Sequence, residues 1–211
     1  MIDLLAKGGP IMILLVACSL SGIYAIVQKL LFFKIHFSNT KEQIKIIKED
    51  LLIKGIEDTQ NQLRSDRRIV TKVLLSAIKL HTKKRDEIQD GVKESIYNQI
   101  PKIDHLMPLL SSIISAAPIL GLTGTVIGLM DIFNVISGGA IGDAQALSSG
   151  IATALITTVT GLLISAPLIF CYQYFNQKIE HFILDLERMS YEMIQYCQHN
   201  QLHNNNVTRE I

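Results

Sequence analysis

Three stretches of this chain carry no charged side chain, and their lengths constrain the fold more than any other feature. Residues 8–28 form an uncharged run of 21, residues 106–130 one of 25 and residues 144–177 one of 34. A bilayer core about 30 Å thick takes about 20 helical residues to cross, and a helix satisfies its own backbone there. The third run reaches about 51 Å at about 1.5 Å per residue, so it is expected to protrude on one side. The sequence therefore predicts an all-α integral membrane protein with three transmembrane helices, over 8–33, 106–136 and 144–177. Between them lie a large loop, 34–105, and a short hairpin, 137–143, and a tail follows over 178–211.

The first run holds an alternative. Leu15-Val16-Ala17-Cys18 has the form of a lipoprotein cleavage box, which would make residues 1–17 a signal peptide. Against that, Lys7 is the one cation before it and Asp3 offsets it, and the apolar stretch runs ten residues past Cys18. A retained anchor is the expectation.

Orientation follows from where the cations lie. Residues 34–105 carry 15 Lys and Arg, including Lys34, Lys41, Lys45 and Lys48 after the first span and Lys93 and Lys102 before the second. The stretch from Asp131 to Asp143 has none. Positive charge is retained in the cytoplasm, which puts the large loop and the C-terminal tail inside, and the N-terminus and the Gly138-Gly139 hairpin outside.

The inside segments read as helical extensions of the spans. Val92, Ile96, Ile100 and Ile103 recur at helical spacing and lead toward the second span, with Pro101 as a candidate kink. Ile179, Phe182, Ile183, Leu186, Met189, Met193 and Tyr196 make a similar stripe after the third. Shorter amphipathic helices are expected over 41–54 and 63–80, broken near Gly55 and at the charged run Lys83–Glu87, and the Asn-rich end from Asn200 is expected to fray.

Several functions are excluded early. A net charge of +1 gives nucleic acid no basic surface to bind. Cys18, Cys171 and Cys197 lack metal-ligand spacing, and no phosphate-cradling GxxxxGK[ST] occurs. His36, His81, His105, His181, His199 and His203 all lie outside the uncharged runs, which also contain no Asp or Glu, so an intramembrane protease has no base or dyad there. No enzyme is expected.

The segment Gly150–Leu162, GIATALITTVTGL, carries four threonines inside an apolar run. On a helical wheel Thr153, Thr157 and Thr160 fall within about 60° of one another. Gly150, Ala154, Thr158, Gly161 and Ser165 form a second, small-residue strip about 90° round. The second span repeats the small pattern with Gly121, Gly124, Thr125 and Gly128. Small residues admit close helix packing, and a threonine can bond back to its own helix, which is the structural reading. The functional reading is a channel wall, which needs oxygen ligands without fixed charge. Any ion relay would then need an ionisable group from another chain, because the uncharged cores of these spans hold no Asp, Glu, Lys, Arg or His.

APILGLTGTVIGLMDIF, residues 117–133, followed by GIATALITTVTGLLISAP, resembles the paired signature of the MotA/TolQ/ExbB proton-channel family. Three spans with a large first inside loop are similar to its ExbB and TolQ branch. The resemblance implies a homo-oligomer, a pentamer, around a single-span ExbD/TolR-like partner that supplies an intramembrane Asp, with a TonB/TolA-like envelope protein beyond. It implies a bacterial inner-membrane motor subunit moving H+, with Na+ the alternative ion, and no bound cofactor or metal. Thr125 and Thr158 match the family's pore threonines, which makes Thr153, Thr157 and Thr160 further ion-pathway candidates, Gly121, Gly124, Gly128, Gly150 and Gly161 packing positions, and Asp131 a candidate outer-mouth residue. Two departures stand out. Many relatives have Glu where this chain has Thr153, and Thr157 beside Thr158, where Ala is frequent, is similar to sodium-driven members. A non-conducting membrane scaffold remains the rival class.

Overall fold

The computed structural model describes residues 9–37, 40–66, 68–137 and 144–207. Every regular element among them is an α-helix: α1 Gly9–Phe37, α2 Thr40–Arg64, α3 Ile69–Leu80, α4 Arg85–Tyr97, α5 Ile100–Ile103, α6 Met107–Ser137 and α7 Ala144–Val207. Three segments, Gly9–Ile35, Met107–Asn134 and Gly150–Gln198, are long and apolar enough to cross a membrane. The chain divides into two compact units, one of Met1–Lys29 with Leu106–Asn176, the other of Leu30–His105 with Gln177–Ile211.

The first unit packs the beginning of α1, all of α6 and the first half of α7. Met12 and Leu15 of α1 and Ala117 of α6 are buried together, flanked by Leu120, Ile156 and Ile164. Gly22 of α1 admits Leu168 of α7, whose Cδ1 would lie 2.9 Å from a Cβ built on the glycine. Pro118 in α6 and Pro167 in α7 sit inside helices that continue through them. Outward faces stay apolar, with Leu122, Phe133, Leu163 and Phe170 exposed on the single chain.

The second unit is built on amphipathic helices. α3 buries Ile69, Val70, Val73, Leu74, Ala77 and Ile78, and α4 buries Ile88, Val92 and Ile96. From α7, Ile179, Phe182, Leu186, Met193, Ile194 and Cys197 are buried, largely on the stripe read from the sequence. Lys48 of α2 joins Glu192 of α7 at 2.5 Å and lies over the Tyr196 ring, 5.7 Å from its centroid. Gln198 Nε2 donates to the His81 carbonyl at 2.9 Å, tying α7 to the end of α3.

Two boundaries differ from the sequence expectation. Val92–Ile103 does not run straight into the second span: α4 stops at Tyr97, α5 is a single turn with Pro101 in its opening turn, and Leu106 takes φ +70 before α6 begins. Proline is accepted where the first amides have no helical partner, so it starts α5 rather than kinking a longer helix. Gly55, by contrast, breaks the helical path as expected. It bends α2 with φ +81 and ψ 178, and Asp50, Lys54 and Gln62 close across the bend through contacts of 2.7, 2.9 and 3.2 Å. The helix expected over 63–80 is shorter: residues 63–64 are the end of α2, and the next helix begins only at Ile69. α7 extends to Val207. Of the expected hairpin, Gly138–Asp143 lies outside the described residues, as do the N-terminal eight residues and the last four.

Candidate functional site

The site is the seam between α6 and α7 in the first unit. Its small residues set the helix spacing. A Cβ on Gly121 would stand 2.9 Å from the Thr157 carbonyl oxygen and 3.0 Å from the Thr158 Cα, so backbone meets backbone there. Gly161 faces the Ala117 carbonyl and the Gly121 Cα, and Gly128 faces Ala154, whose Cβ would be 3.0 Å away. Gly150 instead meets the Ile132 side chain. All five glycines singled out from the sequence therefore lie on this one seam.

Gly124 has a different neighbour. The Thr157 side chain fills the space a Cβ would take, with Oγ1, Cβ and Cγ2 at 2.5, 2.6 and 2.9 Å from it. Thr157 is fully buried, and its hydroxyl donates to the Ala154 carbonyl of its own helix at 2.9 Å.

Next to this knob, Thr125 of α6 and Thr158 of α7 bring their hydroxyls into direct hydrogen-bond contact. Both residues are half-buried. Thr158 Oγ1 donates to the Gly121 carbonyl at 3.0 Å, while Thr125 Oγ1 lies 3.1 Å from the Ala154 carbonyl and 3.4 Å from that of Gly121. Four uncharged oxygens, two from side chains and two from the backbone, thus gather between two helices. Only two hydroxyl protons serve these contacts, because each threonine donates once.

The other candidates part company with this cluster. Thr160 faces α1, in a groove of about 640 Å³ shared with Met12, Val16 and Ser19, and its hydroxyl bonds back to the Ile156 carbonyl at 2.7 Å. Thr153 is half-buried one turn before Thr157. The strip of Thr153, Thr157 and Thr160 is therefore not one face of one cavity, since Thr157 enters the α6 seam and Thr160 the α1 groove. Asp131 is exposed six residues before the end of α6. Among the described residues no group of three His, Cys, Asp or Glu is placed to hold a metal. Sequence reasoning missed the pairing of Thr125 with Thr158 across the helices; the signal for it was that each adjoins a small-residue strip.

Apolar helices of spanning length, two of them seamed by glycine and clasped by threonine hydroxyls, define a polytopic helical membrane protein. The model of the MotA/TolQ/ExbB proton channel family matches residues 61–188, and the chain belongs to that family. It is 28% identical over 187 residues to an ExbB-homologous biopolymer transport protein of Methanothermobacter thermautotrophicus, covering 88% of this chain and 66% of that one. It is 33% identical over 81 residues to the Tol-Pal system protein TolQ of Haemophilus influenzae, covering 38% and 36%. Similarity to the biopolymer transport protein ExbB of Neisseria gonorrhoeae is 29% over 103 residues, covering 48% and 46%. The chain thus spans about two thirds of the first relative and less than half of the other two. These relatives put it on the ExbB/TolQ-like side of the family.

Proposed function

We propose that this chain is the ion-conducting subunit of an ExbB–ExbD- or TolQ–TolR-like inner-membrane motor, which turns proton-motive force into mechanical work on the cell envelope. The observation that carries the reading is the Thr125–Thr158 contact, a hydroxyl pair with two backbone carbonyls between the runs 106–130 and 144–177, which contain no Asp, Glu, Lys, Arg or His. Polar atoms set in a bilayer segment mark paths for ions more than they stabilise the helix pair. A hydroxyl pair does not itself capture a proton at neutral pH, so the titrating carboxylate comes from a single-span ExbD/TolR-like partner. Copies of this chain, five by the family resemblance, surround that partner, with the N-terminus and the 137–143 hairpin in the periplasm and the loop 34–105 and tail 178–211 in the cytoplasm. A TonB/TolA-like protein receives the force.

Two specific observations support rival readings. Four neutral oxygens suit a desolvated Na+ as well as a water-borne proton. The hydroxyls of Thr125, Thr157, Thr158 and Thr160 all find acceptors on these same helices, which suits a scaffold that only assembles. The deciding experiment reconstitutes the chain with its single-span partner in proteoliposomes and records flux under a proton gradient and then a sodium gradient. Thr125→Val and Thr158→Val are each expected to abolish flux while assembly persists, and the gradient that drives wild-type flux names the ion. Flux unchanged in both variants overturns the reading, and no wild-type flux with a confirmed partner favours the scaffold.

A further inference from the structure

Thr157 is the one threonine of this segment that lies entirely inside the α6–α7 seam, and its hydroxyl shares an acceptor with Thr125. The Ala154 carbonyl has two lone pairs. One takes the helical amide four residues on, that of Thr158. The other is approached by two hydroxyls at once, Thr157 at 2.9 Å and Thr125 at 3.1 Å. They cannot both be well served.

The competition has a direction. Thr157 is wedged against Gly124, with no room on that side to turn away. Thr125 is less confined, and the Thr158 hydroxyl is in contact with it. When Thr157 holds the Ala154 carbonyl, the Thr125 proton goes to Thr158, and the Thr158 proton goes to the Gly121 carbonyl, which stands 3.0 Å away. Without the Thr157 hydroxyl, the Ala154 carbonyl becomes the better acceptor for Thr125. Thr158 can then donate to Thr125, and the order of donors runs the opposite way.

We infer that Thr157 is a positioning residue: by occupying the Ala154 carbonyl, it sets the direction in which the Thr125–Thr158 hydroxyl pair donates, and it is neither an ion ligand nor only a packing knob. The inference rests on the ion-path reading of that pair for its effect on flux, while the hydrogen-bond order itself is measurable without conduction.

Three substitutions separate the roles. Thr157→Val keeps the shape and removes the hydroxyl, Thr157→Ser keeps the hydroxyl and removes the methyl, and Thr157→Ala removes both. The full chain with its single-span partner is placed in lipid, and the carbonyl carbons of Gly121 and Ala154 are followed by solid-state NMR beside flux in proteoliposomes. In Thr157→Val the Gly121 carbonyl signal is expected to move upfield as it loses its hydroxyl donor, while the Ala154 signal holds because Thr125 replaces Thr157. Flux falls about fivefold, the scale of one net hydrogen bond, with the ratio of proton to sodium flux unchanged. Thr157→Ser restores both readouts. Thr157→Val with wild-type spectrum and flux, beside an impaired Thr157→Ser, reduces the residue to packing and overturns the inference. A changed proton-to-sodium ratio makes it a ligand and overturns it as well. If instead Thr125→Val and Thr158→Val conduct as wild type, the ion-path reading fails, and the NMR shift alone then decides whether Thr157 orders the pair.

Discussion

Gly161 of α7 and Gly121 of α6 stand face to face, a Cβ on Gly161 falling 3.3 Å from the Gly121 Cα. The nearest atom to that Cβ belongs to the Ala117 carbonyl, which is backbone and has no rotamer to yield. Gly161→Ala and Gly121→Ala are therefore expected to pry the helices apart, costing about 1–3 kcal/mol each as overpacking does. Gly150→Ala meets only the Ile132 side chain and is expected to cost less. Unfolding titrations in detergent check the order, and equal stability of the three variants would contradict it.

Gly124 and Thr157 form a knob and its hole. Gly124→Ala drives a methyl into the Thr157 side chain, and Thr157→Ala removes the Oγ1 and Cγ2 at 2.5 and 2.9 Å while leaving the Cβ at 2.6 Å. The double variant is expected to recover part of the loss, with a coupling of about 1–2 kcal/mol, as contacting residues give. Additive single effects in the same titrations would show that the two side chains do not share one space.

Asp66 organises the approach to α3. Its carboxylate accepts from the Arg68 side chain and backbone and from the Thr71 hydroxyl at 3.0 Å. The Arg68 hydrogen bonds lead in holding its pKa at about 2, below the ordinary 3.8, against a burial penalty that pushes upward. The folded pKa is the lower one, so the stabilisation is complete above about 4 and is lost as the pH falls from there toward 2. The protection of α3 amides, corrected for the intrinsic exchange rate at each pH, is expected to fall between pH 5 and 2 in wild type by more than in Asp66→Asn, whose protection is already lower at pH 5. Parallel pH dependence in the two proteins would refute this.

The bend at Gly55 has φ +81, with nothing within 4 Å of where a Cβ would be. An added methyl there meets no steric neighbour, and the cost is conformational alone. Gly55→Ala is expected to lose about 1–3 kcal/mol, the usual penalty of a side chain in such a region. Amide exchange over 50–62 reports it, since straightening α2 separates Gln62 from Asp50 and Lys54. Unchanged exchange there would show that the bend tolerates a side chain.

The membrane-capable helices were legible because lipid forbids charge over a stretch of known length, and 8–28, 106–130 and 144–177 obey that rule. Of their ends, α6 runs past Asp131 to Ser137, close to the expected 136, whereas α1 runs past Lys34 to Phe37, beyond the expected 33, since charge is tolerated where a helix leaves the apolar layer. The glycine seam was legible as a strip of small residues. The partition of the threonines was not. On the wheel Thr157 belongs to the strip of Thr153 and Thr160, at its edge toward the small residues, and only the presence of α6 on one side and α1 on the other assigns it to the seam and Thr160 to the groove. Leu106 gave no warning either, because a left-handed leucine is imposed by tertiary packing and not by local preference.

The clasp between α6 and α7 is made wholly of hydroxyls and peptide carbonyls. None of these gains or loses a proton in the physiological range. Thr125, Thr158, Gly121 and Ala154 therefore look the same to an ion at pH 6 and at pH 8. A bell or a sigmoid in the pH profile of the assembled complex would have no source in this seam. Its midpoint would belong to an ionisable group outside the seam, the partner's carboxylate under the proposed function, and the seam is a silent background against which such a group can be titrated.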